Sequence, residues 1–386
     1  MITTEAWVLR RGPDEGRSAL GTDDFRIETY SFPDLEDDEL LVEPLFGCWE
    51  GNMSHAIARR PVDVCRQRGE EKVVLGNSAV LRVLKVGAAV RGVREGDVGA
   101  LWGAGKHDDL GYMMLAFGYD APGTVGVLAK RTKIRAWNFL PIPPGSPYSY
   151  EQWAVHSLRY VTAWSNWRVA QGAYRLQVSP SEDPAPHVWG WSGGTTFAEI
   201  DLARREGCRV AMLSGSEARL AALEQAGITA IDRRGFPGIE LDEKQYAADP
   251  AYRRAYQEAE RAFLRVVRER TEGKGVAIFI EYIGAPVARA TVKALARQGV
   301  LATAGWLLGM STTHNRALEC IARHVHVHTH FARRAEALDA MQYSIRTGWM
   351  PDVTEVHGWE DVSRLAGDAA GGATRSFFPV YRVNPV

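Results

Sequence analysis

Residues His187 to Arg219, HVWGWSGGTTFAEIDLARREGCRVAMLSGSEAR, constrain the fold more than any other stretch of this chain. An apolar strand entry at Val188 and Trp189 leads into a turn carrying Gly190, Gly193 and Gly194. A helical pattern follows at Phe197, Ile200, Leu202 and Ala203, and a second apolar strand, Val210 to Leu213, ends in Ser214, Gly215 and Ser216. Strand, glycine turn, helix and strand in that order make a β-α-β unit. Glycines at such a turn let the N–H groups of a helix N-terminus approach a pyrophosphate. The turn alone is a weak signal, and the flanking strands and helix supply its context.

The end of the second strand bears on which dinucleotide fits. An NAD site places an acidic side chain there to accept the ribose 2′-OH, whereas this chain has Ser214, Ser216 and Arg219, which donate to a 2′-phosphate. The residues point to NADPH, the alternative being a polar strand-to-helix loop with no ligand. The expected cofactor-binding set is Gly190, Ser192, Gly193, Gly194, Thr195, Ser214, Ser216 and Arg219, with Gly305 and Phe331 further along. The usual third glycine is replaced in Thr195-Thr196-Phe197, which predicts an altered fit of helix on strand.

A chain of 386 residues has room for two domains, and 46% hydrophobic with 24% charged residues is ordinary for a soluble globular protein. A net charge of -1 gives no footprint for nucleic acid or an anionic membrane. No window reaches the roughly 18 apolar residues of a membrane span, and the N-terminus lacks a basic-then-apolar signal pattern, so a cytoplasmic protein is expected. Cys48, Cys65, Cys208 and Cys320 are scattered without C-x-x-C spacing, which indicates neither a disulfide framework nor a zinc knuckle.

Residues 1 to about 150 read as short strands with turns, including Leu40 to Val42, a loop at Cys48 to Asn52 entering a helix, and bends at Gly87, Gly96 and Asp97. The Pro/Gly-rich bend from Pro141 to Pro147 precedes a helix from Tyr150 through Ala170, whose tryptophans read as core. After a third strand at Ala230 to Asp232, a charged insertion from Arg233 to Lys274 carries Tyr252, Tyr256, Ala262, Phe263, Val266 and Val267 at amphipathic-helix spacing. Then follow a strand from Val276 to Glu281, a helix from Pro286 to Gln298 and a strand from Val300 to Ala304. In His324-Val325-His326-Val327-His328-Thr329-His330, period-two alternation would put all four imidazoles on one strand face, with a metal site as a minor alternative to a solvent or subunit contact.

The glycine turns between Val74 and Leu101 resemble the GroES-like catalytic domain of medium-chain dehydrogenases/reductases. The resemblance implies an α/β fold, a GroES-like β-barrel catalytic domain plus a Rossmann-type doubly wound parallel sheet. It also implies a catalytic domain at 1–152, an NADPH-binding domain at 153–344 with a helical insertion at about 233–274, and a return to the catalytic domain at 345–386. Zinc-dependent members carry ligands where this chain has Glu50 and Gly76-Asn77-Ser78, and four close cysteines where Gly96 to Phe117 has none, so a zinc-free reductase is expected.

The insertion, Ile278 to Gly284 (IFIEYIG), Val300 to Trp306 (VLATAGW) and His328 to Met341 (HTHFARRAEALDAM) are similar to the crotonyl-CoA carboxylase/reductase family. That resemblance implies NADPH-dependent reduction of a 2-enoyl thioester on CoA or acyl carrier protein, with hydride reaching the β-carbon and a proton the α-carbon. Reductive carboxylation with CO2 is the alternative, and a non-catalytic reductase-like binding protein a second one. Carried over, the catalytic set is His330, Asp120, Tyr119, Asn52 and Glu50, with Asp120 and His330 as candidate acids and no metal. An ionised Glu50 would repel a carboxylate developing on the product. A homodimer or homotetramer is the expected assembly.

Overall fold

The structure is a computed structural model and describes residues 1–13, 24–305, 307–309 and 316–386. Trp306, at the end of the VLATAGW segment, lies outside the described residues. The chain divides into two compact units, residues 1–161 with 332–386, and residues 162–331.

In the second unit, six strands among the described residues form one parallel sheet. They are His187–Trp191 (β1), Arg209–Ser214 (β2), Thr229–Asp232 (β3), Val276–Ile280 (β4), Leu295–Thr303 (β5) and His326–Thr329 (β6). Their order is β3-β2-β1-β4-β5-β6, the arrangement in which dinucleotide-binding sheets are built. The central strands are short continuous apolar runs, and every residue of β4 is buried, as strands covered on both faces require. Helices Val161–Arg175 (α1), Gly194–Arg205 (α2), Pro250–Arg270 (α3) and Ala285–Ala294 (α4) accompany them.

The insertion forms α3. Asp249 caps it, accepting from the Ala251 N–H at 2.7 Å, and Pro250 opens it, a combination that satisfies one of the unpaired N–H groups of a first turn. Tyr256, Ala259, Phe263 and Val267 make its buried stripe. Glu260 within that stripe reaches Lys293 at 2.6 Å and Arg289 at 3.3 Å on α4, so the insertion is docked to the sheet's own helix rather than merely solvated.

Two expectations are corrected. The helix expected over Pro286 to Gln298 ends at Ala294. Leu295 already pairs with Val276, and the register shifts before Ile278 meets Val300, with Gln298 in a left-handed conformation (φ 61°) between them. The four histidines do not share a strand face. His324 sits in a left-handed turn (φ 53°) with Nε2 3.3 Å from Arg297 Nη2, and β6 spans only His326–Thr329.

The first unit carries a largely antiparallel sheet in the order Phe139–Pro141, Val98–Leu101, Ala79–Val86, Glu39–Cys48, Val380–Arg382 and Val356–His357. The strand Thr132–Arg135 also pairs with Glu39–Cys48. A second sheet places Ile2–Arg10 between Phe25–Phe32 and Lys72–Val74. One apolar core joins Trp7, Phe25, Trp49, Met53, Val64, Leu128 and Leu365, and another joins Leu40, Leu81, Leu101, Phe117 and Phe139.

Candidate functional site

The strand order changes direction between β1 and β4: β2 and β3 lie to one side, β4 to β6 to the other. In open α/β sheets ligands bind in the crevice outside the strands' carboxyl ends at such a switch. The glycine turn stands there, after β1. Gly193 occupies the N-cap of α2 without a side-chain cap, which leaves the first N–H groups of this helix for an anion.

The missing third glycine is compensated from the strand. Thr196 is fully buried, and a Cβ at Gly190 would lie 2.4 Å from its Cγ2 and 3.2 Å from the Ile280 carbonyl. Gly190 therefore supplies the close approach, and the threonine methyl fills the space. The fit of helix on strand is retained with the small residue on the other partner.

The residues expected for a 2′-phosphate gather at the ends of β1 and β2. Ser192 Oγ lies 3.5 Å from Ser214 Oγ and accepts from Arg219 Nη1 at 3.5 Å, while Ser214 Oγ accepts from the Ser216 N–H at 3.3 Å. Arg233 joins them: a Cβ on Gly215 would stand 3.2 Å from its Nε. The acidic Asp232 at the end of β3 is taken up by Arg234 at 2.8 Å. Thr195 lies half-buried in the first turn of α2. Gly305 follows β5, tied by its N–H and carbonyl to Thr303 Oγ1, and Phe331 is 47% exposed.

Of the expected catalytic residues, Glu50, Asn52, Tyr119 and Asp120 lie in the first unit and His330 in the second. Glu50 does not present a free charge. Arg159 Nε donates to its two oxygens at 3.2 and 3.0 Å, and the same guanidinium donates to the Phe377 and Trp49 carbonyls at 2.9 and 2.5 Å. Burial lifts the Glu50 carboxyl above its usual range, and Arg159 pulls against that. Glu50 is thus one half of a buried ion pair, with Ser78 beside it bonded to the Ala154 carbonyl and Ser157. Among the described residues no group of three or more His, Cys, Asp or Glu side chains is placed to hold a metal ion.

Asn52 stands in the helix Gly51–Ala58 with its Oδ1 buried and unpartnered. Asp120 Oδ1 accepts from the Ala116 N–H at 2.6 Å, closing its own turn. Burial, with Asp120 adding, pushes the Tyr119 hydroxyl up to about 12. His330 is buried, its ring nearly parallel to that of His328 with centroids 6.2 Å apart. Burial and then His330 lower the basicity of His328.

A second buried carboxyl, missed in the sequence, lies in the second unit. Glu199 on α2 is fully buried and accepts from Asn166 Nδ2 of α1 at 3.1 and 3.2 Å and from the Tyr282 hydroxyl at 2.5 Å. Asn166 Nδ2 also donates to the Tyr282 oxygen at 2.8 Å. With no cation to hold its charge, burial pushes Glu199 up to about 8. Its only sequence signal is a charge among Ala198, Ile200, Leu202 and Ala203.

No protein-family model matches the sequence, and no curated protein matches it. Solved structures match over nearly its whole length. The crotonyl-CoA carboxylase/reductase AntE in complex with NADP is 20% identical over 98% of this chain and 94% of its own, with a TM-score of 0.78. The Streptomyces 2-octenoyl-CoA carboxylase reductase CinF, in complex with NADP and 2-octenoyl-CoA, gives 20% identity over 100% of this chain and 88% of its own, at 0.78. An alcohol dehydrogenase from Aeropyrum pernix gives 18% identity over 98% and 99%, at 0.74. The chain has the fold these proteins share, a GroES-like unit plus a Rossmann sheet. Carboxylase/reductases of the kind the sequence resembles are among the structures that share this fold, alongside alcohol dehydrogenases.

Proposed function

We propose that this chain is an NADPH-dependent oxidoreductase that reduces a 2-enoyl thioester carried on CoA or a carrier protein. The observation that carries the reading is the convergence of the glycine turn, Ser192, Ser214, Ser216 and Arg219 at the carboxyl ends of β1 and β2, in a fold shared with CinF. The N-terminus of α2, with Gly193, Gly194 and Thr195, would hold the pyrophosphate, and the serines with Arg219 the 2′-phosphate. When bound, NADPH supplies a hydride to the β-carbon. The substrate then carries negative charge at its thioester oxygen and needs an electrophile at the α-carbon. In this reading Asp120 or His330 delivers a proton there. Asn52 and Tyr119 supply polar contacts, and a homodimer or homotetramer is the proposed assembly.

Reductive carboxylation of a 2-enoyl-CoA is the second reading, favoured by one observation. Arg159 neutralises Glu50, which removes the repulsion that a carboxylate product would meet. NADPH oxidation with a panel of 2-enoyl-CoA esters, with and without bicarbonate, followed by product mass, tests both. Saturated product without added mass establishes the reductase, and bicarbonate-dependent gain of a carboxyl group the carboxylase. Absence of both turnover and NADPH binding refutes both and leaves a binding protein. Arg219→Ala should cut the preference for NADPH over NADH by about 10- to 100-fold, the scale of one charge-assisted hydrogen bond.

A further inference from the structure

We propose that Tyr282 positions the nicotinamide end of the dinucleotide and is itself held from α2 by Glu199 and from α1 by Asn166, an assignment that rests on the NADPH reading. The direction follows from the sheet. The pyrophosphate cradle follows β1, and the serine and arginine cluster lies toward β2. The other half of a dinucleotide must then extend across the switch point, over the ends of β4 and β5. Tyr282 stands there, two residues beyond the end of β4 at Ile280. A Cβ on Gly305, just past β5, would lie 3.5 Å from Tyr282 Cβ and Cδ1, and the Tyr282 carbonyl accepts from the Leu307 N–H at 3.0 Å. The residue thus ties together the two strand ends that form that side of the crevice.

Its hydroxyl is committed inward, to Glu199 at 2.5 Å and Asn166 at 2.8 Å, both fully buried. What this half-buried residue offers to solvent is therefore ring, a flat wall suited to a planar heterocycle. The tether runs to α2, the helix whose first turn meets the pyrophosphate, so one rigid element sets both contacts. A buried carboxyl without a cation is costly. A shared hydrogen-bond network fixes one ring orientation, which apolar packing would leave looser.

The network also has a charge state. Glu199 faces Tyr282 from the end of β4 and Asn166 from α1, while Glu281 beside Tyr282, held by the N–H groups of Ile283 and Gly284 at 2.5 and 2.7 Å, is pushed up by burial to about 7 and ionises below Glu199. Burial keeps Glu199 protonated at neutrality, and it ionises near pH 8. The oxidised nicotinamide ring is cationic and the reduced ring neutral, so ionised Glu199 favours NADP+ over NADPH.

The test is binding to the apo protein, read by fluorescence titration with NADPH and with NADP+ between pH 6.5 and about 9.5, a range centred on the Glu199 transition. The ratio of the two dissociation constants should move toward NADP+ by about three- to fivefold across pH 8 in the wild type, the scale of a unit charge acting across one aromatic ring. Glu199→Gln should flatten that shift, and Tyr282→Phe should weaken NADPH binding by about three- to tenfold while circular dichroism shows an intact fold. If the wild type binds both nucleotides, yet Glu199→Gln keeps the shift and Tyr282→Phe binds normally, the inference is overturned and the NADPH reading survives. If the wild type binds neither nucleotide, the NADPH reading falls and takes the inference with it. Should Tyr282→Phe fail to fold, the isosteric Glu199→Gln decides alone.

Discussion

Glu50 in the first unit and Glu199 in the second are both buried, and the two are accommodated by opposite means. In the first unit Glu50 meets a guanidinium that is itself saturated by two backbone carbonyls, so charge is balanced by charge. In the second, Glu199 meets an amide and a phenol, and the carboxyl sheds its charge at neutral pH. An ion pair is indifferent to pH across the physiological range but intolerant of losing a partner. A neutral cluster tolerates substitution better and responds to pH.

The largest effect expected from this contrast is at Arg159. Arg159→Met strands the Glu50 carboxylate and should destabilise the protein by about 3–5 kcal/mol, seen as a lower guanidinium midpoint. Adding Glu50→Gln to that variant should restore most of the loss. If the single and double variants unfold alike, the pair does not carry charge balance.

Tyr282→Phe removes one neutral partner of Glu199 and should cost about 1–3 kcal/mol, the penalty of an unmet buried acceptor. A loss as large as that of Arg159→Met would mean that Glu199 is ionised at pH 7, which would collapse the contrast.

Glu199→Gln should have the smallest effect at acid pH, about 1 kcal/mol or less below pH 4.5, because the amide preserves shape and hydrogen bonding. Its signature is in pH. The folded-state value of about 8 lies above the ordinary 4.5, so the stability contribution is complete below pH 4.5 and is lost as pH rises through 8. Chemical denaturation from pH 5 to about 9 should therefore show the wild type weakening relative to Glu199→Gln, with the difference levelling off above pH 8. Parallel pH curves for the two proteins would show that Glu199 does not titrate there.

The strands and glycine turn of the nucleotide half were legible because their signals are local: apolar runs, glycines at turns and a helix between them all lie within His187 to Arg219. The end of α4 was not, since helix-like spacing continues through Leu295 and nothing in the text marks the register shift at Gln298. The serine and arginine cluster was readable for the same local reason. Both glutamate environments were hidden. Arg159 is 109 residues from Glu50, and Asn166 and Tyr282 are 116 apart, so only tertiary packing brings them together. Glu50 was therefore read as a lone charge. The exchange of roles between Gly190 and Thr196 was also invisible, because a glycine motif read along one strand and turn does not show which partner yields space.

The first unit closes with residues from far along the chain: Val380–Arg382 pairs with the strand that ends at Cys48, and the Trp359 carbonyl accepts from the Trp7 indole at 3.1 Å. On the ribosome, the second unit has its full sequence while the first still lacks a strand and part of its core. At about 5–20 residues per second, the final strand emerges roughly 10–40 s after the first unit's opening segment is complete. For that interval the Phe46–Cys48 end of the strand has an unmet edge beside unfinished apolar packing, the condition under which nascent chains pair with one another. Yield at high expression rates therefore depends on how soon Val380–Arg382 reaches the strand ending at Cys48, and slowing translation should improve it.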